Sequence, residues 1–235
     1  MYRELDAERI VTTVRTLEQR IHERFPASGL AQVAGELVDV AQRTVARVAE
    51  LTHPNVPIRA AVGALVTLLL ALLLGLALTL ELSLRVDNLA TLLQATESAV
   101  NDVVFAGIAI WFLMTLETRI KRRRALQAIH ELRSLAHVVD MHQLTKDPER
   151  VLTPGRDTAS SPRRAPMTRF ELARYLDYCS ELLSLTSKLA ALYVQRFQDE
   201  HVLAAVTDVQ TLTNGLSGKI WQKIVILDTA AEAAG

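Results

Sequence analysis

The sequence predicts an all-α membrane protein. Its expected architecture is a two-span transmembrane helical hairpin with cytoplasmic helical-bundle or coiled-coil-like regions at both ends. Three observations carry that expectation. Half of the residues are hydrophobic, yet aromatics make up only 5% and turn formers are scarce, with nine glycines and seven prolines. Such a bias toward Leu, Ala and Val favours helices. Second, the 21 residues between Arg59 and Glu81, "AAVGALVTLLLALLLGLALTL", contain no charge, and about 20 apolar helical residues cross a bilayer core. Third, apolar stripes at three–four spacing recur on both sides of that run.

The 235 residues carry 26 basic and 26 acidic side chains, so no global charge directs the chain to nucleic acid. The single cysteine, Cys179, rules out an intrachain disulfide and reads as an apolar helix position in a reducing compartment.

From the N-terminus, residues 1–53 read as a cytoplasmic helical hairpin. Ile10, Val14, Leu17 and Ile21 form the first stripe. Leu30, Val33, Leu37, Ala41, Val45 and Val48 form the second, across the turn "FPASG". Pro54 and Pro57 then end the preceding helix. Residues 58–118 form the predicted transmembrane hairpin, with spans at about 60–80 and 98–116. The second, "SAVNDVVFAGIAIWFLMTL", contains Asn101 and Asp102 and is followed at once by "ETRIKRRR". Basic residues on that flank and at Arg43, Arg47 and Arg59 place both termini in the cytoplasm, as in a bacterial inner membrane protein.

The absence of Gly or Pro from 108 to Pro148 predicts that the second span continues as one helix to about 144. Ile129, Leu132, Ala136 and Val139 give its cytoplasmic extension, 119–144, a short seam. Residues 145–167 read as a linker, with Asp147–Pro148 opening one short turn. Thr168 and Glu171 form a capping box that starts the C-terminal helical hairpin, 168–230. In its second helix the stripe from Val202 to Leu227 runs across Gly215 and Gly218, which predicts a kinked helix. Trp221 reads as a bundle or interface anchor, and Trp111 as packed against a neighbouring helix.

The stretch "HELRSLAHVVDMHQLTKDPE" holds three of the six histidines. His130, His137, Asp140 and His142 are its candidate metal ligands. His130 and His137 are seven apart, about 10 Å along a helix, too far to chelate one ion together. A solvated polar face is the leading account. No phosphate-cradling loop, dinucleotide fingerprint, nucleophile elbow or Cys-x-x-Cys pair is present, so no catalytic residue and no cofactor is expected.

Glu97 and Asp102 are the candidate pore mouth, because a carboxylate near a span is costly unless it meets water, a partner or a channel. The layout of helices, hairpin and extended second span resembles the mitochondrial calcium uniporter family. That family's Asp-Ile-Met-Glu signature is replaced here by "SAVNDVVF". The resemblance implies an oligomeric channel or transport component lined by the second span. The residues themselves point first to a non-enzymatic membrane scaffold or regulatory protein. Its expected partners are the lipid bilayer, further copies of itself and a cytoplasmic protein, with no nucleic acid.

Overall fold

A computed structural model describes residues 4–83, 89–152 and 167–232. Among them are seven helices and no strand. These are α1 (Ala7–Arg24), α2 (Gly29–Thr52), α3 (Val56–Ser83), α4 (Leu89–Leu144), α5 (Glu149–Leu152), α6 (Arg169–Arg196) and α7 (Glu200–Glu232). The chain divides into two compact units, one formed by residues up to Thr52 and from Arg124 onward, the other by His53–Arg123. α4 contributes residues to both.

In the first unit each helix starts where a short polar side chain satisfies free backbone amides. Asp6 accepts from the N–H groups of Glu8 and Arg9. Ser28 Oγ accepts from Ala31, and Asp199 from His201 and Val202. The Thr168–Glu171 capping box is complete in both directions. Asp147 Oδ1 accepts from Glu149 N–H at the head of α5.

The stripes then close on one another. Val14, Ile21, Leu30, Leu37, Leu132, Leu176, Leu182, Leu189, Val202, Val209 and Ile220 share one core. α6 packs against α1, α2 and α7. Its Tyr175 and Tyr178 meet Phe25 edge-on at ring-centroid distances of 5.4 and 6.3 Å, which pins the α1–α2 turn to α6. Burial pushes the Cys179 thiol up to about 12, so the side chain acts as an apolar filler.

The seam of α4 enters the same core, with Ile129, Leu132, Ala136 and Val139 all buried. Glu131 holds it to α2, accepting from Arg43 at 2.6 Å and Arg47 at 2.7 Å. Burial of Glu131 raises its pKa, but hydrogen bonds from Arg47 and Arg43 outweigh this and hold the carboxyl below its ordinary range. Lys223 of α7 closes the end of α4, its Nζ donating to the carbonyls of Gln143 and Lys146 at 2.8 and 3.0 Å.

The second unit holds α3 and the first part of α4. Both are long and apolar enough to cross a membrane, and their most apolar segments are almost wholly unburied within the chain. α4 begins at Leu89, nine residues before the expected start of the second span, because "LATLLQATE" contains no helix breaker. The expected 81–97 connection is shortened accordingly. Arg85 and Asp87 within it lie outside the described residues.

Candidate functional site

Two places concentrate chemistry, one in each unit. In the first unit an open groove of about 1170 Å³ runs along α6, between α1 and α7. Its floor is an α6 stripe at helical spacing: Asp177, Ser180, Glu181, Ser184, Leu185 and Lys188. The serines keep that floor low, so an incoming backbone can approach. Ile10 and Thr13 of α1 form one wall. Ile220, Trp221 and Ile224 of α7 form the other. Trp221 is 65% exposed. The expected anchor therefore stands on the rim of a groove instead of inside the bundle.

The groove lining contains the carboxylates Glu4, Asp6, Asp177 and Glu181 against two cations, Arg9 and Lys188. The carboxylates also make ion pairs at the surface: Glu4 with Arg196, Asp6 with Arg9, Asp177 with Arg174 and Glu181 with Arg20. Exposed pairs of this kind are worth about 0–1 kcal/mol, so a bound cation can share or replace them.

In the second unit, Glu117 gathers the start of α3 onto α4. Its carboxylate accepts from Asn55 N–H at 3.0 Å and Arg59 Nε at 2.7 Å, and pairs with Lys121 at 3.0 Å. Lys121 also donates to the His53 carbonyl at 2.8 Å. The Arg59 hydrogen bond, followed by those of Asn55 and Lys121, lowers the Glu117 pKa to about 2. One turn of α4 thus fixes the chain entering α3. Close by, the Arg119 guanidinium lies 4.7 Å from the Phe112 ring centroid and 5.4 Å from that of Trp111. Trp111 is 62% exposed, so within this chain it packs against an arginine rather than a neighbouring helix.

The sequence-predicted ligands do not converge. His130 and His137 are exposed, and Asp140 accepts from Gln143 Nε2 at 2.6 Å. The His142 ring sits against Gly29 of α2. Among the described residues no three His, Cys, Asp or Glu side chains are placed to hold a metal ion. Glu97 and Asp102 both lie exposed on α4.

Sequence reasoning missed the Glu117 clamp and the groove lining. The clamp joins residues 62 positions apart, a pairing that no local spacing announces. The groove had one signal, Trp221 among polar neighbours in "KIWQK".

Fold and sites together describe an all-helical chain with two helices long and apolar enough to cross a membrane. Comparison with family models, curated proteins and solved structures finds no match to it.

Proposed function

We propose that this chain is a non-enzymatic membrane scaffold. In this reading α3 and α4 anchor it as a two-span hairpin in a bacterial inner membrane, with both termini in the cytoplasm. The α1–α6–α7 groove receives an amphipathic helix of a partner protein whose flanks are basic. The groove is the observation that carries the reading. Its exposed Trp221 rim and serine floor suit the apolar face of a helix. Its four carboxylates each meet an arginine in an exposed pair, Arg196, Arg9, Arg174 or Arg20, and lysines or arginines beside that face would exchange into those weak pairs. Membrane anchoring is supported by the exposed Leu68, Leu72, Leu74, Phe105 and Met114. Water would charge about 25 cal/mol for each Å² of such surface left uncovered.

The test uses the full chain in nanodiscs of zwitterionic lipid. Two labelled amphipathic peptides of about 16 residues, leucine-faced and bearing either lysines or glutamates, are titrated against it. The lysine peptide is expected to bind, and Trp221→Ala to weaken it about tenfold or more, the scale of a buried aromatic anchor. Equal binding of both peptides, or indifference to Trp221→Ala, overturns the reading. A dimer that Trp221→Asp dissociates assigns the groove to a second copy and overturns it equally.

A further inference from the structure

On α4, Phe112, Thr115, Leu116, Arg119, Arg122, Arg123 and Leu126 follow one another at three–four spacing, on one side of the helix. That side carries three guanidinium-bearing positions and no carboxylate. The nearest acid in sequence, Glu117, faces away and is engaged by Asn55, Arg59 and Lys121. Arg119 and Arg123 are both exposed and one turn apart. Below them the exposed rings of Trp111 and Phe112 stand within 5.4 and 4.7 Å of the Arg119 guanidinium. Along the helix axis the order is therefore apolar run, aromatic rings, then guanidinium groups.

An anionic phospholipid has the same order, from acyl chain through glycerol to phosphodiester. We infer that Arg119 and Arg123, with Trp111 and Phe112 beneath them, bind the phosphodiester headgroup of an anionic phospholipid. The inference rests on α4 crossing the membrane as proposed above. The guanidinium fork matches two phosphate oxygens at once, which an ammonium does not. Arg119 reaches the phosphate by swinging off the rings, leaving them to the glycerol and upper acyl carbons, the depth at which tryptophan settles in bilayers. The absence of a carboxylate on this side disfavours a zwitterionic lipid, whose ammonium has nothing to pair with.

The full chain is extracted in mild detergent, given equal amounts of phosphatidylglycerol and phosphatidylcholine, and its retained lipids are counted by native mass spectrometry. Two arginines at a charged headgroup correspond to a preference of about thirtyfold for the anionic lipid. Arg119→Gln with Arg123→Gln is expected to abolish that preference. Arg15→Gln with Arg133→Gln, exposed elsewhere, is expected to keep it. Equal retention of the two lipids by the wild-type chain overturns the inference, as does a preference that survives the Arg119/Arg123 change. Displacement of the lipid by millimolar inorganic phosphate shows a free-anion site and overturns it too. Alkaline carbonate washing of membranes separates the underlying reading: a chain released with soluble proteins defeats the membrane anchor itself. A retained chain without lipid preference defeats only the headgroup site.

Discussion

Gly29 and Gly215 both lie in helices, yet the same substitution has opposite consequences at each. A Cβ on Gly29 overlaps the His142 imidazole, whereas a Cβ on Gly215 meets nothing within 4 Å. Replacing a helical glycine by alanine gains about 0.5–1 kcal/mol of backbone entropy. Forcing an atom into occupied space costs about 1–3 kcal/mol. Gly215→Ala should therefore raise the midpoint of thermal unfolding in detergent. Gly29→Ala should lower it, and should become stabilising once His142→Ala has emptied the space. A stabilising Gly29→Ala in the presence of His142 would show that the ring turns aside freely. The same contact gives His142 a packing role at the α2–α4 crossing, which its place in a histidine-rich stretch did not suggest.

At the scale of the element, the helices were legible because their period is set locally. Every position of the α4 seam is buried, as are Leu172, Leu176, Cys179, Leu183, Ala190 and Tyr193 along α6 and nearly every position of the α7 stripe. The capping box at Thr168 is formed as its spacing predicts. α7 runs as one helix through Gly215 and Gly218, because its buried stripe secures both flanks. The start of α4 was misjudged, since an apolar run marks a span but not the helix that exceeds it. The clamp was illegible for another reason: Asn55 and Glu117 become neighbours only when α3 and α4 fold back together.

That clamp has a definite pH signature. Glu117 titrates at about 2 in the folded chain instead of its ordinary 4.5. Its contribution is therefore complete above pH 4.5 and is lost as pH falls from there toward 2. Hydrogen exchange at the Asn55 amide reads it directly. Wild-type protection should persist at neutral pH and decline through that acidic window, after correction for intrinsic exchange. Glu117→Ala should remove the protection at pH 7. Protection of Asn55 unchanged in Glu117→Ala would mean that the prolines, not the carboxylate, hold the entry to α3.

For the whole molecule, the two apolar helices should differ in how much charge they tolerate. Residues 60–80 contain ten leucines, worth together about −5 kcal/mol for insertion. Between Val103 and Leu116 there are eight Val, Ile, Leu or Phe residues, worth about −3.5 kcal/mol on the same scale, with Asp102 at their edge. A central aspartate costs about 3 kcal/mol. One substitution in α3, Leu70→Asp, should leave the chain resistant to alkaline carbonate extraction. One in α4, Ile108→Asp, should cancel the insertion of that helix and carry a reporter fused after Gly235 to the opposite side of the membrane. In the proposed reading of α4 as a span, so marginal an apolar run would gain from the Glu117 clamp at its end and from the bundle that buries its continuation. If Ile108→Asp inserts normally while Leu70→Asp does not, α4 is shielded from lipid by other protein, and the carboxylates Glu97 and Asp102 would then lie beside an oligomeric path through the bilayer rather than at its edge.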